Sequence, residues 1–311
     1  MKGLTKLLLT TAAALFGVGV VLALAGWLMG GQTSMVVTVG GRDVNVGLTG
    51  VRLSNWSGER NRVADGGDLE PFTALDVDVD LGDVYFIPSN HYGVELSWQG
   101  EDYALHYSNK NGKLKVWSTS SVRLGVDLGF GYGAEVRVYF PEGAEFESVT
   151  VKTSLGSAEL EGLRAGRLDL EADLGSVAVT DAVVGESTMN LSLGDLELKR
   201  ITARTLDLTL SLGALVGDEV STSESLTVEN DMGSVVLAGA FEGHTKIVDD
   251  MGSVELTVAG AEADYGYDLR TSMGNVTING KDAGDEADHR GGTHTIEVEN
   301  SMGDIEIKFE K

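Results

Sequence analysis

Oxygen-bearing side chains recur at one position of this chain, and hard oxygen donors are what Ca²⁺ takes. Asn230, Asp249, Thr271 and Asn300 each stand three residues before a glycine, with Asp231 and Asp250 beside two of them. On an inward strand face these oxygens could stack from repeat to repeat into a ladder of cation sites. The same residue types have a simpler use, because Asn, Asp, Thr and Ser side chains hydrogen-bond nearby backbone and cap turns. Calcium-binding β-rolls carry a much denser nonapeptide repeat. Capping is therefore the reading adopted, and no metal ligand is assigned.

Other chemistry is thinner still. His289 and His294 flank a glycine pair, while His91, His106 and His244 are isolated, a distribution that suits scattered solvent-facing side chains better than a ligand set. The run Gly129-Phe130-Gly131-Tyr132-Gly133 has the glycine density of a phosphate loop, but neither a following helix nor the P-loop lysine accompanies it, so it reads as a turn. No Gly-x-Ser-x-Gly elbow and no His-Glu-x-x-His motif occurs. There is no cysteine, hence no disulfide, thiolate nucleophile or thiolate metal site. The expectation is no catalytic residue, no cofactor and no enzyme activity.

The elements that hold these residues follow from a repeat. Leu or Met, then Gly, then a small or acidic residue recurs at Gly156, Gly175, Gly194, Gly213, Gly233 and Gly252, at intervals of 19, 19, 19, 20 and 19 residues. Gly274 and Gly303 follow at 22 and 29, and an earlier copy sits at Gly82. A fixed period near 20 is the mark of stacked-repeat architecture. Within a unit, Leu168, Leu170, Ala172 and Leu174 alternate with acids, and beyond Gly175 the apolar phase slips by one to Val177 and Val179. Leu206, Leu208, Leu210 and Leu212, then Leu226, Val228 and Met232, then Ile296, Val298 and Met302 repeat the pattern. Period two means a strand with one buried face, and the slip means a corner. Asp or Ser two residues before each glycine suits a tight turn. Each unit thus reads as strand, glycine corner, strand and looser return. The expected fold is all-β, a β-solenoid-like stack of about 19-residue units with these nine glycines as structural corners.

Composition narrows the partners. A formal charge of −25 argues against nucleic acid and against anionic headgroups, and keeps an exposed domain soluble. Lys2 and Lys6 precede an uncharged stretch from Leu7 to Met29, long enough to span a bilayer, and the next charge is Arg42. Basic residues on that side only predict a cytoplasmic N-terminus and an exported remainder. The alternative is a cleaved signal peptide with Ala23-Leu24-Ala25 as its cleavage site, which would make the protein secreted. The expected organisation is an anchor or signal segment over 1–31 and a short hairpin and linker over 32–71. A β region or cap follows over 72–148, then the regular array over 149–311. Residues 54–70 read as linker, Asn109-Lys110-Asn111-Gly112 as a hairpin turn, and 280–292 as a polar insertion looping out before the last unit.

This layout resembles a known group. After the apolar segment come Phe72-Thr73-Ala74-Leu75-Asp76-Val77-Asp78-Val79, Tyr92-Gly93-Val94-Glu95-Leu96 and Lys113-Leu114-Lys115-Val116. The glycine-anchored repeats follow, then Gly291-Gly292-Thr293, Ile296-Glu297-Val298 and Met302-Gly303-Asp304-Ile305-Glu306-Ile307. Over residues 72 to 311 the chain is similar to the bacterial putative-adhesin family of β-strand-repeat proteins, a family of unknown function common on cell envelopes. The resemblance implies a repeat fold and carries no catalytic residue. It suggests a non-catalytic cell-envelope scaffold, membrane-held through its N-terminal helix, that binds an envelope protein or a wall polymer. Some relatives are similar to accessory proteins of envelope-stress signalling, so a membrane-anchored regulator is the second expectation. A wall-glycan enzyme on a solenoid is the third.

Overall fold

The structure is a computed structural model. It describes residues 68–98, 103–120 and 134–310, and the backbone of strands Ser34–Val39, Arg42–Gly47, Gly50–Leu53 and Asn61–Ala64. The apolar segment Leu7–Met29, and with it the expected transmembrane helix, lies outside the described residues, as does the run Gly129–Gly133. Among the described residues no helix is long and apolar enough to cross a membrane. The chain divides into two units, Met1–Glu59 and Arg60–Lys311. The first holds a three-stranded antiparallel sheet, Ser34–Val39 with Arg42–Gly47 and then Gly50–Leu53.

The second unit is all-β, and its sheet does not close on itself. Successive repeats pair strand on strand, in parallel and in register: Leu168 lies against Ser187, Ser187 against Leu206, and Leu206 against Leu226. Such pairing lets apolar side chains stack on their counterparts one rung away, at about 4.8 Å spacing. Leu170, Met189, Leu208, Val228, Ile247, Val298 and Leu269 form one such buried file.

Chain order and spatial order differ at both ends. Ala74–Leu81 pairs in parallel with Glu145–Leu155 on one side and with Lys113–Ser120 on the other, so the first repeat is the second in space. Likewise His294–Met302 lies between His244–Met251 and Tyr265–Thr271, so the last repeat is the last but one in space. This swap accounts for the stretched glycine intervals: the chain skips a level, builds the outermost unit, and returns to fill the gap.

Antiparallel strands cover both outermost units. Tyr103–Lys110 folds back on Lys113–Ser120 across Asn111-Gly112, both at positive φ, and Gly93–Trp98 runs against Glu135–Pro141. At the far end Glu286–His289 pairs antiparallel with Tyr265–Thr271, and Lys281–Gly284 with Val276–Ile278. Residues 280–292 therefore do not loop out. They occupy the edge of the terminal unit, whose unpaired backbone would otherwise template another chain. Within the expected linker, Asn61–Ala64 is a strand against Gly93–Trp98.

Two further expectations are corrected by the geometry. The return is not loose: Gly162, Asp181, Arg200 and Glu219 stand in register with φ of 67°, 55°, 54° and 55°, a second corner of single left-handed residues. Leu174, Leu212, Met232 and Met302, expected inward, are exposed. Each glycine corner takes four residues out of the core. In one unit Ala172 and Val177 are buried while Asp173 to Ser176 are not, so the leucine before the glycine swings outward.

Candidate interaction surface

The corner is built from main chain. At each level the glycine N–H donates to the carbonyl of the Leu or Met on the next level: Gly156 to Leu174 at 2.9 Å, Gly175 to Leu193 at 3.0 Å, Gly194 to Leu212 at 2.9 Å. The same link joins Gly233 to Met251, Gly252 to Met302 and Gly303 to Met273. Corners approach so closely that a β-carbon on Gly194 would overlap the carbonyl oxygen of Gly175, and Gly194 also sits at φ 143°. Only a hydrogen fits there. Gly82, Gly156, Gly175, Gly213, Gly233, Gly252, Gly303 and Gly274 occupy the other levels of this file.

Inside the corner, the polar residues of the C-terminal half line up as Asn230, Asp249, Asn300 and Thr271, all buried. They cap the turns. Asn230 Nδ2 donates to the Gly233 carbonyl at 3.0 Å, Asn300 Nδ2 to that of Gly252 at 2.8 Å, and Thr271 Oγ1 to that of Gly303 at 2.8 Å. The Met302 N–H donates to Asn300 Oδ1 at 2.9 Å. Asp231 and Asp250 face solvent, because neighbours on a strand point to opposite sides, so they do not converge with the buried file. Among the described residues no three His, Cys, Asp or Glu side chains gather as a metal site.

Asp249 departs from the capping role. Burial pushes its carboxyl up to about 6; the hydrogen bond from Asn230 opposes the shift and the neighbouring Asp250 charge adds to it. Its Oδ2, like Asn230 Oδ1, is buried without a partner.

Outside the corner runs a file of apolar side chains. In spatial order it is Leu81, Leu155, Leu174, Leu193, Leu212, Met232, Met251, Met302 and Met273. Exposure runs from 38% at Met302 to 63% at Met273, with Leu81 alone half-buried. The eight intervals between these nine rungs, at about 4.8 Å each, make a stripe about 38 Å long. The flanking positions carry Asp80, Asp83, Asp173, Asp195, Asp231, Asp250 and Asp304 and no Lys or Arg. The repeat motif therefore has two outputs at one corner, a buried cap and an exposed stripe.

The remaining candidates stay apart. His294 Nδ1 accepts the Gly243 N–H at 2.9 Å and its ring lies 5.2 Å from Tyr265, whereas His289 packs on Tyr267. His106 lies against Trp117, and His244 bonds Thr295. A shallow cleft of about 470 Å³ lies over Tyr267, Arg270, Asp288 and His289. There Arg270 is paired with Asp268 at 2.8 Å, and the Tyr267 phenol, raised to about 12 chiefly by burial and by its bond to Glu262, is no base at neutral pH. Basic residues elsewhere tie levels together: Arg200 clasps Asp181, and Arg204 reaches both Glu186 and Glu224.

The chain matches no curated protein. Solved structures similar to it include a putative adhesin from Bacteroides fragilis NCTC 9343, at 11% identity and a TM-score of 0.46, with 79% of this chain and 97% of that one covered. Another is a putative adhesin from Parabacteroides distasonis ATCC 8503, at 11% identity and a TM-score of 0.45, covering 80% and 98%. A putative cell adhesion protein from Clostridium sporogenes ATCC 15579 has 10% identity and a TM-score of 0.30, covering 81% and 100%. Residues 72–308, the span that holds the corner glycines and both capped ends, match the Toastrack DUF4097 family, and the chain belongs to it.

Proposed function

We propose that this protein is a non-catalytic surface protein of the cell envelope, which binds a protein or a wall polymer through the outside of a solenoid-like stack. It is held at the membrane by the segment Leu7–Met29, with the repeat array on the extracytoplasmic side. The observation that carries this reading is the exposed Leu/Met stripe. Apolar surface of that length, kept on a hydrogen-bonded scaffold, is a common mark of interaction sites. The binding would be surface complementarity with no bond made or broken.

The test is crosslinking of the full chain in cells, followed by purification and mass spectrometry. Crosslinks to one envelope component that map to the Leu174–Met251 corners, and that vanish when those side chains are made polar, are the expected result. Crosslinks unaffected by those changes, or hydrolysis of isolated wall glycan by the purified protein, would refute it.

A further inference from the structure

The geometry points to a cationic amphipathic α-helix as the occupant of the Leu/Met stripe. This rests on the surface-binding reading above and names the partner's chemistry. The stripe is one side chain wide and nine levels long, from Leu81 to Met273. Its rungs repeat at about 4.8 Å. A helix whose apolar residues recur every three to four positions presents them about every 5.2 Å along its axis, at 1.5 Å per residue. An extended peptide presents same-side residues about every 6.7 Å and loses step after two or three rungs. A straight helix of about 25 residues matches the full stripe in length.

Charge selects the rest of the partner. The stripe is bordered by Asp80, Asp83, Asp173, Asp195, Asp231, Asp250 and Asp304. Two residues further along the strands, at the next outward-facing position, the basic side chains Lys152 and Arg270 are already paired, with Glu171 and Asp268. Lysines or arginines flanking the apolar face of a helix would meet these carboxylates, which favours encounter and fixes orientation. A second copy of this chain would bring the same acids and another −25 of charge against them. An anionic lipid surface is repelled likewise. The four C-terminal rungs, Met232, Met251, Met302 and Met273, are unbranched thioethers that adapt to differing contours, while the Leu rungs set a firmer half.

The experiment uses the full chain in phosphatidylcholine nanodiscs, with empty nanodiscs as the blank. The probe is a fluorescein-labelled peptide of about 20 residues made of Leu and Lys, with Leu at i, i+3, i+4 and i+7. A scrambled peptide of equal composition is the control, and binding is read by anisotropy. The expected result is saturable binding of the amphipathic peptide. The scrambled peptide should bind at least tenfold more weakly, as should the amphipathic peptide to the Leu193→Ser, Leu212→Ser, Met232→Ser triple variant. Because these side chains are exposed, the variant should keep its melting temperature; Leu212→Lys serves as a second variant, expected to weaken binding by charge. Equal binding of both peptides would reduce the effect to bulk charge and overturn the proposal. If neither peptide binds while in-cell crosslinks still map to the stripe, the helical partner is wrong and the surface reading stands. If neither peptide binds and no crosslinks map there, both fall.

Discussion

The carboxyl of Asp249 accepts a hydrogen bond from the side-chain amide of Asn230, one level away, at 2.5 Å, and no part of Asp249 is exposed to solvent. The acid at this place in the stack is held by Asn230 at Oδ1 and left unpartnered at Oδ2. Its folded value of about 6 lies above that of an unfolded aspartate, near 3.9. Between these values the folded state keeps a proton that the unfolded state has released, so stability falls as pH rises through that window, and the loss is complete above it. Asp249→Asn should remove this slope and raise stability at pH 8 by about 1–3 kcal/mol. Urea unfolding of both proteins from pH 4 to pH 8 checks it; parallel profiles would show that Asp249 is not the group responsible.

Gly194→Ala should destabilise the array by at least about 3 kcal/mol, since the new methyl meets the Gly175 carbonyl and strained φ adds to the overlap. Gly280→Ala is the comparison: its φ is 74° but nothing stands within 4 Å, so it should cost only about 1 kcal/mol. Thermal unfolding of the two variants decides, and equal losses would mean that corner proximity is unimportant.

Thr245 is fully buried between Leu226 and Ile296, and its hydroxyl has no partner. Thr245→Val keeps the shape and removes the stranded oxygen, and should stabilise by about 1 kcal/mol. Thr271→Val removes a hydroxyl that donates to Gly303 at 2.8 Å, and should lose about the same amount. Opposite signs in chemical denaturation are the outcome sought.

Ca²⁺ at millimolar concentration should leave the melting temperature where EDTA leaves it. Asp231 and Asp250 point to solvent, and the amides of Asn230 and Asn300 are engaged with backbone carbonyls. A rise that disappears in Asp249→Asn would reverse that conclusion.

The repeat was legible because its cause is local. A glycine every 19 residues records a corner where main chains meet, and alternation such as Leu168, Leu170 and Ala172 records a strand with one buried face. Turn chemistry around Asn111-Gly112 belongs to the same class of signal. The left-handed corner at Asp181, Arg200 and Glu219 left no such trace, because three different side chains occupy one backbone state. Leu174 and Leu212 face outward for a related reason: period two carries an apolar residue inward only while the strand stays straight, and the corner turns it out.

By itself, then, the sequence determined the repeat length, the strand faces, the glycine corners and the family. Tertiary structure alone decided which level neighbours which. Insertion of His294–Met302 between two earlier repeats depends on open edges that exist only in the assembled stack. It also decided that the leucine or methionine before each glycine lies outside. Each of these side chains looks like core when one repeat is read alone; only stacking turns them into a continuous exposed stripe, because each corner swings its leucine or methionine outward and in-register pairing sets them one above another.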